Sequence, residues 1–164
     1  MIELYSDRLA TPGGVFLITF SREGIYRLSF PGSKIDEDYP LAPLPWPGLK
    51  KDLKVYLSGQ QVDWERYPLD CSGYHPFTAK LLQVVSSIPF GRILTYRQVA
   101  EKAGSPLAWR AAGQALKANR HPLIVPCHRV VGSGGKLGGF SGPPGWKRKL
   151  LNLENIHDYS AVDS

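Results

Sequence analysis

Between positions 31 and 47 the chain places five prolines, at 31, 40, 43, 45 and 47. Each one fixes its own φ, removes a backbone donor and pushes the preceding residue away from the helical region. No helix and no central strand can run through such a stretch, so regular structure must lie on either side of it. Before it, residues 15–20 and 25–30 are β-branched and aromatic, and the intervening residues 21–24 carry a glycine at the position a hairpin loop requires. Residues 2–6 are expected to add a third strand. After it, Leu49, Leu53 and Leu57 recur at helical spacing, which predicts one amphipathic helix over 49–57. Residues 62–69 are expected to return to the sheet. This part reads as a small α/β unit with no catalytic constellation, a supporting domain over residues 1–72.

Residues 73–164 read differently. A helix is expected from Pro76 to about 88, with Phe77, Leu81, Leu82, Val84 and Val85 as its apolar side. Thr95 can cap a short helix over 96–103, ended by Gly104. Ser105-Pro106 pairs an N-cap residue with proline at the first helical position, which predicts a further helix from 107 to about 118. Two helices joined by so tight a turn have the form of a helix-turn-helix. Ala111, Ala112, Gly113 and Ala115 make the second helix slim. It can therefore pack closely on a protein neighbour or enter a narrow DNA groove, with Arg110 as its long cationic projection. A last helix over 145–155 is expected to turn Leu150, Leu151 and Leu153 inward, with Lys147, Arg148 and Lys149 near its start. Charge divides along the same line. Residues 1–72 hold 8 basic and 10 acidic side chains, whereas residues 73–164 hold 12 basic and 4 acidic, a net +8. Such an imbalance either solubilises a surface or attracts a polyanion.

Chemistry concentrates around Cys127. In Pro126-Cys127-His128-Arg129-Val130 a thiol stands beside an imidazole. Cysteine attacks as thiolate and needs a base to remove its proton. Neighbouring residues on an extended chain point opposite ways, so His128 serves the sulfur only if the backbone turns sharply, which Pro126 makes plausible. Otherwise Cys127 is a small buried hydrophobe beside a surface histidine. The glycines that follow, at 132, 134, 135, 138, 139, 142 and 145, suit either a backbone wrapped around a flat ligand or a flexible loop. Only Cys71 and Cys127 are present, too few for a disulfide framework, and no zinc-ligand spacing occurs. The longest apolar runs fall short of a membrane span. The first residues show neither a basic region nor an apolar run, so a cytoplasmic protein is expected.

These residues resemble the active-site signature of the O6-alkylguanine-DNA alkyltransferases. The likeness extends in register over residues 73–156, through Phe77-Thr78, Gly91, Thr95-Tyr96, Arg110-Ala111-Ala112-Gly113, Asn119, Gly138-Gly139-Phe140-Ser141-Gly142 and Lys149-Leu150-Leu151 to Glu154. Phe140 stands where many members have tyrosine, Lys117 where arginine is common, and Trp109 where a small residue is usual.

The resemblance implies an α/β N-terminal domain followed by a mostly helical, winged-helix-like C-terminal domain. It implies repair of double-stranded DNA that contains O6-alkylguanine, and less well O4-alkylthymine, by one irreversible transfer to Cys127. His128 would deprotonate the thiol through a water, Glu154 would orient His128, Asn119 would brace the turn, and Tyr96 would donate to the extruded guanine. The Ser141 N–H and the Val130 carbonyl, with Gly138 and Phe140 alongside, would hold the base. Arg110 would fill the gap in the stack on a surface formed by Ala111 and Gly113, with Arg97, Lys117 and Ser133 on phosphates. No cofactor and no metal is expected, because the lesion itself is the alkyl donor, and a monomer is expected. Two other readings stand beside this one: a lesion-binding or regulatory DNA module that keeps the cysteine, and a Cys-His hydrolase that turns over.

Overall fold

The computed structural model describes residues 2–35 and 38–160, and the chain separates into two units between Ser72 and Gly73. Three antiparallel strands, β1 (Tyr5–Thr11), β2 (Gly14–Phe20) and β3 (Ile25–Ser29), form the sheet of the first unit in that order. The first strand begins and ends later than the expected 2–6. Pro12 and Gly13 make a turn that pairs Thr11 with Gly14, and the ladder then runs back to Tyr5 opposite Phe20. Hairpin pairing, rather than β propensity, draws Arg8 and Ala10 into the strand. The second turn depends on Gly24, whose φ of +151° no other residue adopts comfortably; a Cβ there would lie 2.4 Å from the Pro68 carbonyl oxygen. Helix α1 (Gly48–Leu57) follows the proline stretch and buries Leu49, Leu53 and Tyr56.

Residues 62–69 do not form a strand. Asp63 accepts from the Glu65 N–H at 3.0 Å and opens a single 3-10 turn, Trp64–Arg66. Beyond it only Leu69 bridges to Ile25, since Pro68 has no N–H to extend the ladder.

Among the described residues the second unit holds four α-helices, a 3-10 turn and a two-stranded parallel pairing. Helix α2 (Pro76–Ser86) is capped by the His75 side chain, which accepts from the Phe77 N–H. Strand β4 (Leu94–Thr95) pairs with β5 (Val130–Val131). Helix α3 (Tyr96–Lys102) starts on a capping box in which the Thr95 hydroxyl takes the Gln98 N–H and the Gln98 side chain takes the Thr95 N–H. Helix α4 (Trp109–Leu116) starts two residues later than Ser105-Pro106 suggests. The Ala108 N–H bonds the Ser105 carbonyl at 2.9 Å, so these residues close a turn of their own; proline suits its second position as well as it suits a helix start. In α5 (Trp146–Leu153) the buried face is Trp146, Lys147, Leu150 and Leu151. Leu153, expected to turn inward, is only half-buried, and Lys147 is 3% exposed. Among the described residues no helix is long and apolar enough to cross a membrane.

Candidate active site

The approach to Cys127 is built by one asparagine. Asn119 Nδ2 donates to the Val125 carbonyl at 3.1 Å, and Asn119 Oδ1 accepts from the His121 N–H at 2.9 Å. The Val125 N–H in turn bonds the His121 carbonyl at 2.8 Å. The turn enclosed between them is tight enough to hold Leu123, a non-glycine residue, at a φ of +77°. Immediately after it, Cys127–Arg129 form a single 3-10 turn rather than the extended run the flanking valines suggest. The Arg129 N–H closes it on the Pro126 carbonyl at 2.9 Å. The sharp backbone turn that a working Cys-His pair requires is present.

Cys127 is 5% exposed, and its Sγ lies 3.8 Å from Ser141 Oγ. Burial pushes its thiol up; the Asn119 and Ser141 side chains, the Lys147 charge and the Ser141 N–H act against that. His128 is fully buried, with Nε2 2.6 Å from Glu154 Oε2. Burial pushes the imidazole down despite that carboxylate, so both thiol and ring are neutral before reaction. Glu154 accepts from Arg129 Nε at 2.8 Å and Nη2 at 3.1 Å, and from the Gly91 N–H at 2.9 Å. Burial alone would raise its carboxyl; the bond to His128 and the charge and hydrogen bonds of the Arg129 guanidinium instead hold it at about 2. It is therefore an anion at any working pH, poised to stabilise an imidazolium.

A second cluster faces the thiol. Lys147 Nζ donates to the carbonyls of Val130 at 2.6 Å and Gly139 at 2.8 Å and reaches the Tyr96 hydroxyl at 3.4 Å. Burial brings its pKa down to about 8. The Tyr96 hydroxyl, raised by burial, donates to the Gly139 carbonyl at 3.2 Å. The Gly-rich segment approaches because Gly138 adopts a φ of +80°, where a Cβ would lie 2.6 Å from Tyr96 Oη. Tyr96, Gly113, Lys117, Cys127, Gly139 and Phe140 enclose a tight pocket over the sulfur. It shares walls with an open groove of about 450 Å³, to which Trp109, Arg110, Ala111 and Gln114 contribute.

Of the residues expected at the site, Cys127, His128, Glu154, Asn119, Tyr96, Val130, Gly138, Phe140 and Ser141 meet in these clusters or line the pocket. Arg110, Ala111, Gly113 and Lys117 line the groove. Arg97 and Ser133 do not line it; Arg97 lies against Trp109, and Ser133 is exposed on the loop after β5. Sequence reasoning passed over Arg129 and Lys147. A buried arginine was signalled by its place in an apolar run, and Lys147 by lying three and four residues before Leu150 and Leu151, on their face. Among the described residues no group of three or more His, Cys, Asp or Glu side chains could hold a metal ion.

A buried thiol, an imidazole bonded to an ionised carboxylate, and a small pocket sharing walls with a groove lined by Arg110 and Lys117 have the make-up of a site for a cysteine nucleophile and an anionic partner. The family model of the 6-O-methylguanine DNA methyltransferase DNA-binding domain matches residues 76–156. A methylated-DNA–protein-cysteine methyltransferase of Methanothermobacter thermautotrophicus is 42% identical over 109 residues, 66% of this chain and 60% of that protein's length. A DNA base-flipping protein of Thermus thermophilus is 35% identical over 150 residues, 89% of this chain and 97% of its own. Mycobacterium tuberculosis OGT, solved in complex with DNA, superposes with a TM-score of 0.81 at 30% identity, covering 92% of each chain. The chain belongs to the methylated-DNA–protein-cysteine methyltransferase family.

Proposed function

We propose that this protein repairs double-stranded DNA by moving an alkyl group from the O6 atom of guanine, and less well from O4 of thymine, onto Cys127, once per molecule. The observation that carries the reading is the placing of Cys127, with Ser141 at its sulfur and His128, bonded to Glu154, next in the same turn, in a pocket that shares walls with the Arg110–Lys117 groove.

Helices α3 and α4 act as a helix-turn-helix in a winged-helix-like domain, with slim α4 entering the minor groove. Phosphates meet Lys117, Arg97 and Ser133. The alkylated oxygen lies inside the duplex, so the nucleotide must rotate out, at a cost of a few kcal/mol that is smallest for a damaged, weakly paired base. Arg110 enters the vacated stack and offsets part of that cost. The extruded base lies against Phe140 and Gly138, where the Ser141 N–H and the second lone pair of the Val130 carbonyl read its edge. The thiol proton passes through a water to His128, whose cation Glu154 stabilises. Sulfur attacks the alkyl carbon; the S–C bond forms as the C–O6 bond breaks, and the bonding pair leaves on the purine. The Tyr96 hydroxyl and the Ser141 N–H stabilise that charge. A thioether has no leaving group that water can displace, so the protein is spent. The alkyl donor is the substrate, so no cofactor takes part. The first unit supports this domain, and the protein acts as a cytoplasmic monomer.

A second reading, a module that flips and holds lesions without repairing them, draws on the likeness to the Thermus base-flipping protein. Peptide mass spectrometry after incubation with a duplex bearing O6-methylguanine decides between them. Transfer adds one methyl to the Cys127 peptide and none in Cys127→Ala, which still binds the duplex. A module leaves the wild-type peptide mass unchanged.

A further inference from the structure

Trp109 opens α4 at the groove wall and is 38% exposed, one turn before the buried Ala112. Leu107, two residues earlier, is 94% exposed. Two cations use the ring: the Arg110 guanidinium lies 5.0 Å from its centroid, and that of Arg97, from the first turn of α3, lies 5.8 Å away. Two like charges drawn to one neutral ring would otherwise repel and spread into solvent. Cation–π attraction is the force that gathers them, and it favours indole over every other side chain. The consequence is geometric. One arginine stands on α3 and the other on α4, and the ring ties them across the inter-helix turn.

We infer that Trp109 is a positioning residue for base extrusion: its ring holds Arg110 at the groove wall and links it to Arg97, so that the cation entering the base stack and the cation meeting the backbone arrive in register. The inference rests on the reading that Arg110 enters the duplex. An unrestrained arginine samples many rotamers and loses that freedom at insertion; the indole removes part of the loss beforehand. The benefit applies only when a stack has to be opened. A lesion in single-stranded DNA, already unpaired, reacts without it.

The test is single-turnover transfer from the same O6-methylguanine oligonucleotide, single-stranded and paired, by wild type, Trp109→Ala, Trp109→Met and Trp109→Phe. Methionine keeps apolar bulk without a π face, and phenylalanine keeps a face. The paired-to-single-stranded rate ratio is expected to fall about tenfold in both Trp109→Ala and Trp109→Met, the weight of two exposed cation–π contacts, and to recover most of that in Trp109→Phe. A packing role would spare Trp109→Met and lower both rates together. An unchanged ratio with transfer intact overturns the role of Trp109 alone. A wild-type chain that transfers from neither substrate overturns both this and the reading beneath it.

Discussion

Replacing Glu154 with glutamine changes little in shape and removes one charge, which makes it the sharpest probe of the site's foundation. Arg129 is 6% exposed and directs two of its nitrogens at Glu154, at 2.8 and 3.1 Å, and a third at the Ile88 carbonyl at 2.6 Å. In Glu154→Gln the guanidinium remains buried with no counter-charge, and in either orientation the amide must turn its NH2 toward Arg129, at Nε beside the Gly91 N–H or at Nη2 beside His128. Breaking one partner of a buried ion pair costs about 3–5 kcal/mol. That is a large part of the roughly 5–15 kcal/mol that holds a domain folded. For a unit of this size each kcal/mol moves Tm by about 4–8 °C, so a drop on the order of 20 °C is expected. Scanning calorimetry at pH 7 measures it. Removing both charges in Arg129→Met/Glu154→Gln leaves no orphan and is expected to restore most of the loss. The pH dependence carries the same signature. The folded carboxyl is held at about 2, below its ordinary 4.5. Its stabilisation is therefore complete above pH 4.5 and fades as pH falls from 4.5 toward 2, and the gap between wild type and Glu154→Gln closes over that window. A Tm within a few degrees of wild type at pH 7, or a gap that persists unchanged at low pH, would refute the reasoning.

Arg110→Ala is expected to slow repair of a paired lesion by about ten- to a hundredfold, the few kcal/mol of unstacking it helps to offset, while a lesion in single-stranded DNA reacts at nearly the wild-type rate; paired single-turnover assays read both. Gly138→Ala places a methyl 2.6 Å from Tyr96 Oη on a backbone at φ +80°. It is expected to cost about 1–2 kcal/mol in stability from the strained φ alone, and to slow transfer further by displacing Tyr96, as thermal melts and methyl-transfer rates together will reveal. Lys147, with a folded pKa of about 8 against an ordinary 10.5, leaves the unfolded chain binding more protons between those values. Stability then rises with pH across that window by up to about 1.4 kcal/mol per unit, and the rise is absent in Lys147→Met when unfolding is followed in denaturant from pH 8 to 10.5.

What the sequence made legible was whatever a local rule could carry. The proline stretch, the helix 48–57 and the Thr95 cap each follow from a few adjacent side chains, and each is where it was expected. Three elements departed from what their local signals suggested. The first strand extends to Thr11 because β2 offers it a ladder. The segment 62–69 stays out of the sheet because Pro68 cannot continue one, and Ser105-Pro106 serves a turn because turns and helix starts favour the same residues. At the site, adjacency drew attention to Cys127 and His128, whereas Glu154 entered only through a recognisable signature, since its distance along the sequence carries no geometry. The 3-10 turn at Cys127, which resolves how adjacent residues can cooperate, follows Pro126 and the Asn119 clamp eight residues upstream. Lys147 escaped notice because a basic side chain on a helix is ordinarily solvated; only its place on the leucine face marked it as buried.

Stoichiometry on a lesion-bearing duplex in excess tests the central claim most directly. One chain is expected to clear one O6-methylguanine and stop, with the methyl recovered on Cys127. Continued clearance by a single chain with its mass unchanged, or a methyl recovered on Cys71, would contradict it.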